Sequence, residues 1–309
     1  MGLSENVVPG IDRLGADAAQ PTARIASRYT WRSATFGVHP LLLLAPLLVF
    51  LGVFYAYPVL AMMWRSVADP HWTTEHYVAL FSSPIYVLVF WITVRIGLVT
   101  TVAALVLGYP VAYLLARLPQ AKANLLLIAV LLPFWTSILV RTYAWMVLLG
   151  RDGIINQALR ALGLIQYPLR LLNTTFAVDV AMVHVLLPFM ILPLYATLRG
   201  INPALPKAAA SLGAPPAAVF RQVLLPLSLP GVFAGSLLVF ILAIGFFITP
   251  ALVGGPRDLM ISMLIQQQVE LLHWPFASAL AVVLLLVAVG SFAVLSKALG
   301  IERLFGRMA

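Results

Sequence analysis

Residues 207–231 read KAAASLGAPPAAVFRQVLLPLSLPG and separate two long apolar stretches of the chain. The segment is too polar to cross a membrane and too apolar for a slack linker. Just before it, Asn202 and Pro203 predict a helix start, because asparagine caps helices and proline at a first helical position gives up no needed N–H. Gly213 predicts the end of that helix, where a left-handed residue turns the chain.

A second short helix is predicted to begin at Pro215 and Pro216 and to stop at Pro226. In that helix Phe220 offers an anchor for another surface. The first helix carries small and apolar residues on one face, at helical spacing: Ala204, Leu205, Ala208, Ala209 and Leu212. The residues alone leave two interpretations open, a docking site for another protein or a pair of amphipathic helices lying on a membrane.

The composition is that of a membrane protein. Of 309 residues, 62% are hydrophobic and 9% are charged, whereas soluble domains carry about 25% charged residues. The absence of cysteine excludes disulfides and thiolate chemistry. A membrane helix needs about 20 apolar residues, and the sequence predicts an all-α fold with six spans: 41–63, 96–116 with a helix that can begin at Pro84, 123–149, 176–197, 229–252 and 276–296.

Two parts are expected in the chain. Residues 1–38 are predicted to form a disordered cytosolic tail, and residues 39–309 a six-helix transmembrane domain. The two short helices then belong to a loop at about 200–227, between the fourth and fifth spans.

The distribution of basic residues predicts the orientation of the spans. With the amino terminus inside, twelve lysines and arginines lie on the cytosolic side: Arg13, Arg24, Arg28, Arg32, Arg117, Lys122, Arg199, Lys207, Arg221, Lys297, Arg303 and Arg307. Six lie outside: Arg65, Arg95, Arg151, Arg160, Arg170 and Arg257. This excess places both termini and the 200–227 loop in the cytosol. The net charge of +9 is then a topology signal, and a nucleic-acid partner is not expected.

The loop resembles the EAA loop of ABC importer permeases. The family pattern is E-A-A, three residues, G, nine residues and then I-x-L-P; here it is Lys207-Ala208-Ala209, three residues, Gly213, nine residues and then Val223-Leu224-Leu225-Pro226. Four further segments are similar to the spermidine/putrescine-type permeases in particular: LGYPVAYLLARLP (107–119), LLPFWTSILVRTYAW (131–145), LLPFMILPLYATL (186–198) and LVGGPRDLMISMLIQQQ (252–268). The resemblance covers residues 40 to 300.

The resemblance implies the type I importer fold in a bacterial inner membrane. It implies a second homologous permease, two cytosolic ABC ATPases, a periplasmic solute-binding protein, and a polyamine or related small amine as substrate. The chain has no G-x-x-x-x-G-K-[ST] phosphate-binding loop, so ATP is expected on the partner ATPases and no cofactor on this chain. Relatives of this class carry other small solutes, such as amino-acid-like compounds, opines or phosphonates, which leaves the substrate open.

In the family, the EAA helices sit in a groove on the ATPase, so that closure of the ATPases moves the spans. The resemblance assigns this coupling role to eight residues: Lys207, Ala208, Ala209, Gly213, Phe220, Val223, Leu225 and Pro226. Gly213 is expected to tolerate a side chain least. Lys207 departs from the family's glutamate. Either it is a solvated lysine, or the partner permease carries the ion pair with the ATPase and this subunit docks by shape.

Four residues are candidates for the substrate path: Trp135, Arg141, Tyr143 and Asp179. Asp179 is a carboxylate within a span, which either faces a cavity or stays hydrated near the outer surface. Arg141 either bonds to backbone carbonyls or contacts substrate. The aromatic residues, with the neighbouring Trp145, either stack on a cationic amine or serve packing.

Other chemistries find little support in the sequence. Asp152, Asp258 and Glu270 are interpreted as solvated outer-loop charges, or else as contacts for the solute-binding protein. The histidines show no metal-ligand spacing, and no Ser/His/Asp grouping is present, so neither a metal site nor catalytic residues are expected. A solitary secondary carrier would show an internal repeat and a membrane enzyme a catalytic cluster, and the sequence indicates neither.

Overall fold

The computed structural model describes residues 40–68 and 71–299. The predicted tail at 1–38 lies outside the described residues. The chain divides into two compact units, residues 1–58 and 59–309. In the first unit, helix α1 (Pro40–Leu51) continues through a π-helical turn (Gly52–Ala56) into α2 (Tyr57–Ala68), whose later residues belong to the second unit.

The second unit also contains helices α3 to α14. Their bounds in chain order are α3 (Glu75–Ser82), α4 (Pro84–Arg117), α5 (Gln120–Leu131), α6 (Ile138–Leu149), α7 (Ile154–Ala161), α8 (Thr175–Gly200), α9 (Ala204–Ser211), α10 (Pro216–Val219), α11 (Leu225–Ile244), α12 (Ile248–Val253), α13 (Ile261–Glu270) and α14 (Trp274–Leu299). A 3₁₀ turn (Leu132–Trp135) follows α5, and a π-helical turn (Phe220–Leu224) joins α10 to α11.

Five helices in the described ranges are long and apolar enough to cross a membrane: Leu44–Ala68, Pro84–Arg117, Thr175–Gly200, Pro216–Ile244 and Trp274–Val294. A sixth span results if the bent pair 120–135 and 138–161 counts as one. The predicted all-α membrane fold is therefore confirmed. The orientation of the termini stays a prediction.

The third predicted span is not one helix. The sequence interpretation ran a single helix through residues 123–149, but the segments on either side of the break at Thr136 and Ser137 meet at 91°. Pro133 has no N–H to continue the helical ladder, and its ring clashes with the preceding turn. The Pro133 carbonyl oxygen accepts both the Thr136 N–H over 3.2 Å and the Thr136 hydroxyl over 2.7 Å, which fixes the end of the 3₁₀ turn at the break.

Two further spans differ from their predicted limits. Helix α4 begins at Pro84, the earliest start that the sequence allows, and so it contains Arg95. Counting Arg95 with the outer loops was therefore wrong. The fifth span also differs, because α11 ends at Ile244 and the residues up to 253 form the separate helix α12.

Helices α4, α8 and α11 pack together and form the main core. Helix α8 lies at its centre, with buried residues along most of its length, including Met182, Leu186, Met190 and Leu194. Close approach depends on glycine: a Cβ at Gly108 would lie 3.2 Å from the Met190 side chain. These three packed helices, α4, α8 and α11, are called the core trio, and loops and short helices connect their ends.

Arg199 ties the ends of two of these helices together. From the last turn of α8 its guanidinium donates to the carbonyl oxygens of Ala116 and Leu118, each over 2.8 Å, and to Gln120 Oε1 over 2.9 Å. These carbonyls belong to the end of α4, where the helix leaves its last acceptors unpaired. Charge-assisted hydrogen bonds therefore hold the C-terminal ends of α4 and α8 together.

At Gly231 helix α11 lies close against α8, and Gly231→Ala is expected to lower the free energy of unfolding by about 1–3 kcal/mol. The added Cβ would lie 2.6 Å from Thr197 Oγ1 and 3.0 Å from the Pro193 carbonyl oxygen. Thermal unfolding of the detergent-solubilised chain measures the effect. Gly290→Ala in α14 is the matched control, since its Cβ meets nothing within 4 Å. Equal midpoints for the two variants would contradict the packing argument.

Candidate functional site

The loop between α8 and α11 forms the helix and turn that the sequence predicts. Asn202 Oδ1 accepts the Ala204 N–H over 2.9 Å and caps the start of α9. At the other end Gly213 has a φ of +86°. The Gly213 N–H donates to the Ala210 carbonyl over 3.0 Å, and the Ala214 N–H donates to the Ala209 carbonyl over 3.2 Å. This pair of bonds is the Schellman motif, which satisfies the last carbonyls of a helix.

One face of α9 is apolar and exposed. The Leu205 side chain is 48% exposed and that of Leu212 is 89% exposed, and Ala208 between them is exposed as well, whereas Ala209 is half-buried. Small and branched apolar side chains on an exposed helix face are suited to close contact with another surface. The face predicted from the spacing is therefore present, and the described part of this chain leaves it uncovered.

Phe220 points towards the core trio of α4, α8 and α11. Its ring lies edge-on to Tyr109 and Tyr113 of α4, with centroids 5.8 Å and 6.1 Å away. The Tyr109 hydroxyl lies 2.9 Å from Ser228 Oγ at the start of α11. Phe220 is half-buried by these contacts, so the interpretation as an anchor for an outside surface is replaced by an internal one. The side chain links the loop to α4.

Pro226 does not stop the second helix, contrary to prediction. Helix α10, the π-helical turn and α11 form one continuous helix from Pro216 to Ile244. In the π-helical turn the Leu225 N–H donates to the Phe220 carbonyl, one residue further back than in an α-helix. The wider π-helical turn leaves room for the proline ring, and Pro226, which has no N–H, needs no carbonyl acceptor in that turn. Val223 is half-buried, and Leu225 and Pro226 are exposed.

Lys207 is exposed on α9 and lines a cavity of about 330 Å³ together with Arg117. The Arg117 guanidinium stacks 4.2 Å above the Tyr113 ring, an arrangement that stabilises a cation. Within the described ranges the single ion pair joins Arg160 to Asp152, so neither Lys207 nor Arg117 meets a carboxylate there.

A second feature is a groove of about 510 Å³ between α4, α6 and α8, lined by residues of the predicted spans. Its walls are mostly aliphatic, and its polar lining comes from Asp179, His184 and Trp145. The Asp179 Oδ1 atom is buried and has no hydrogen-bond partner among the described residues. An ionised carboxylate in such surroundings is costly unless a cation approaches it. The groove is therefore an arrangement that can receive a positively charged group.

Sequence reasoning missed Arg95 as a neighbour of Asp179. The two side chains interact electrostatically, yet no ion pair within 4 Å joins them in the part of the chain that the structure describes. Arg95 Nε is likewise buried without a partner there. Because α4 and α8 pack side by side, these residues lie close enough to interact electrostatically although 84 positions separate them, and no local pattern signals the pair.

The other path candidates divide into two groups. Arg141 is half-buried and acts electrostatically on His184, whose Nδ1 accepts the Trp145 Nε1–H over 3.2 Å. Trp135 and Tyr143 are 86% and 55% exposed and do not line the groove. Of the aromatic candidates, Trp145 is thus the one that the structure brings beside Asp179. His184 lines the same groove, but no local pattern signals it, because a residue five positions after Asp179 is turned about 140° away from it on a helix.

Asp258 was predicted to be a solvated loop charge, and this was wrong. The side chain is 2% exposed, accepts the Thr175 hydroxyl at Oδ1, and accepts the Gly255 N–H at Oδ2 over 2.9 Å. Asp258 thereby holds its loop on the start of α8. Asp152 and Glu270 are exposed as expected.

The fold is that of an ABC transporter permease. A chain from the crystal structure of a bacterial alginate ABC transporter, in complex with an alginate pentasaccharide-bound periplasmic protein, superposes with a TM-score of 0.68 at 17% identity, covering 82% of this chain and 91% of that one. No family model matches the sequence.

Curated relatives identify the family. The spermidine/putrescine transport system permease protein PotB of Haemophilus influenzae is 38% identical over 230 residues, which cover 74% of this chain and 76% of that protein. The inner membrane ABC transporter permease protein YdcU of Escherichia coli is 34% identical over 287 residues, covering 86% of this chain and 90% of that protein. The chain belongs to the spermidine/putrescine-type permease family of ABC importers, whose members are inner-membrane proteins.

Proposed function

We propose that this chain carries a polyamine across the inner membrane while two partner ATPases hydrolyse ATP. A second, homologous permease completes the pathway, and a periplasmic solute-binding protein delivers the substrate. The observation that carries the proposal is the capped helix α9 with its exposed apolar face, beside a chain that has no phosphate-binding loop. Such a subunit needs an external source of energy and presents a surface on which to receive it.

The loop at residues 200–227, here called the coupling loop, transmits motion between the ATPase and the membrane helices. On its outer side, Ala208, Leu205 and Leu212 face away from the rest of the described chain. On its inner side, Phe220 contacts α4, and the helix continues into α11 without a break. A displacement of α9 by an ATPase therefore moves two helices of the core trio, which is a two-state element biased by a remote ligand.

The groove at Asp179 supports a cationic substrate. A polyamine carries ammonium groups separated by short aliphatic chains, and the groove offers one carboxylate, one indole ring and aliphatic walls. An ammonium group gains from both the carboxylate and the aromatic face. The PotB relative is by name a spermidine/putrescine transport permease, which agrees with this chemistry.

The test is purification of the tagged chain from its host in mild detergent, followed by mass spectrometry and by reconstitution in proteoliposomes. We expect two ATPases and a second permease to copurify, and labelled spermidine to enter only when ATP and the binding protein are present. A chain that purifies alone and takes up spermidine without ATP would be a solitary carrier. An intact complex that ignores spermidine and imports an anionic solute would overturn the substrate alone.

Orientation has its own experiment. The chain contains no cysteine, so Ser211→Cys, on the exposed end of α9, introduces a unique thiol. We expect a membrane-impermeant maleimide to label it in inverted vesicles and not in intact spheroplasts. Labelling of spheroplasts would place the loop outside and contradict the coupling proposal.

A further inference from the structure

The cavity beside Lys207 has the properties of an amphipathic binding site. It lies between the end of α4, the end of α8 and the start of α9, and holds about 330 Å³. Arg117 and Lys207 supply its positive charge, and apolar walls come from Leu198, Ile201, Pro206 and Leu224. The lining combines two cations with hydrocarbon surface, which suits a ligand with an anionic head and an apolar body.

No acidic residue of the described chain lies at this end of the helices. The described carboxylates are those of Glu75 at the start of α3, Asp152 and Asp258 in loops, Asp179 in the second turn of α8 and Glu270 at the end of α13. The opposite ends carry only cations within the described ranges: Arg117, Lys122, Arg199, Lys207, Arg221 and Lys297. Arg199 is satisfied by carbonyl oxygens, whereas the side chains of Arg117 and Lys207 have no hydrogen-bonded carbonyl within the described ranges.

We propose that this cavity binds the phosphate headgroup of an anionic phospholipid from the cytosolic leaflet. Lys207 and Arg117 contact the phosphate, and the first carbons of the acyl chains lie against the leucine and proline walls. The inference rests on the proposed function for the side of the membrane on which the loop lies. It gives Lys207 a partner that the family's glutamate could not have, since a carboxylate in that place would repel phosphate.

Such a lipid would connect the coupling loop to the core trio. The Arg117 guanidinium lies over the face of the Tyr113 ring. The Tyr113 and Phe220 rings stand nearly perpendicular to each other, with centroids 6.1 Å apart. Lys207 lies on α9, and Arg117 ends α4. A phosphate held by both cations therefore bridges the two elements that Phe220 already joins, and should stabilise one position of α9.

The experiment compares the purified transporter complex in nanodiscs of phosphatidylcholine with nanodiscs that also contain phosphatidylglycerol. Retained lipid is counted by native mass spectrometry, and the thermal midpoint is recorded. Since each basic residue near an anionic surface contributes about five-fold in binding, the double variant Lys207→Gln with Arg117→Gln should lose about 25-fold in preference for phosphatidylglycerol. Lys122→Gln is the control, because Lys122 is an exposed cation at the same end that does not line the cavity.

Three results would overturn the proposal. The first is a loss of about five-fold in the Lys122 control, which would equal the loss per charge in the double variant and indicate general surface attraction. The second is full replacement of the lipid effect by inorganic phosphate in phosphatidylcholine, which would make the site one for free phosphate. The third is loss of the ATPases from the double variant in both lipids, which would assign Lys207 to a carboxylate of the ATPase.

The lipid result is separable from the proposed function. Loss of lipid preference in a complex that still imports spermidine with ATP leaves the transport assignment standing. Labelling of Ser211→Cys from the outside would remove the leaflet argument together with the coupling proposal.

Discussion

Gly213→Val is expected to reduce ATP-driven uptake by about ten-fold or more while the chain still inserts and assembles its core. Gly213 has a φ of +86°, and a side chain in the left-handed region costs about 1–2 kcal/mol, which corresponds to about ten-fold in an equilibrium. A Cβ there would meet nothing within 4 Å. The cost is therefore backbone strain in the turn that aims α9, and uptake in proteoliposomes measures it.

Gly200→Val is the matched control for that experiment. Gly200 ends α8, a Cβ there also meets nothing within 4 Å, and its φ is not in the left-handed region. Gly213→Asn gives a graded third variant, because asparagine tolerates the left-handed conformation better than valine. We expect uptake in the order wild type, Gly213→Asn, Gly213→Val, with Gly200→Val close to wild type. Equal losses at Gly200 and Gly213 would show that bulk, not backbone conformation, decides.

Asp179→Asn is expected to lower polyamine uptake by about ten-fold or more and to leave ATP hydrolysis responsive to the binding protein. Asparagine keeps the size of the side chain and removes its charge. At an effective dielectric constant of about 20, a unit charge pair 4 Å apart is worth about 4 kcal/mol, of which dehydration cancels a large part. Initial rates of labelled putrescine uptake, read beside phosphate release, separate the transport step from coupling.

Asp152→Asn controls for the loss of any acidic residue. Its side chain is 95% exposed in the loop before α7, where the pairing with Arg160 is a surface contact worth little. We expect uptake within two-fold of wild type, since an exposed ion pair contributes about 0–1 kcal/mol. Undiminished uptake in Asp179→Asn would remove the carboxylate from the substrate path.

Features that depend on neighbouring residues could be predicted from the sequence. The cap at Asn202 and the left-handed turn at Gly213 follow from the preferences of single residue types, and the structure confirms both. The start of α4 at Pro84 is of the same kind, because proline favours the first turn of a helix. Each of these signals lies within one helical turn of the structure that it specifies.

Features that depend on packing between distant segments could not be predicted. Arg95 and Asp179 interact because α4 and α8 lie side by side, and Asp258 is buried because Thr175 and Gly255 bond to it. Pro226 shows a different failure. The local rule that proline ends a helix was overridden by a π-helical turn, which accommodates the missing N–H. In each case a contact or a backbone geometry outside the local pattern decided the outcome.

We propose that the unbroken helix from Pro216 to Ile244 acts as a lever. Its 29 residues correspond to a rod of about 43 Å at 1.5 Å per residue. At Gly231 and Gly235 the middle of this helix lies against α8, so the helix would pivot at this contact. A displacement of a few ångströms at Pro216 would then move the Ile244 end in the opposite direction. If an ATPase displaces the Pro216 end, the Ile244 end would thus shift without any change of structure along the helix.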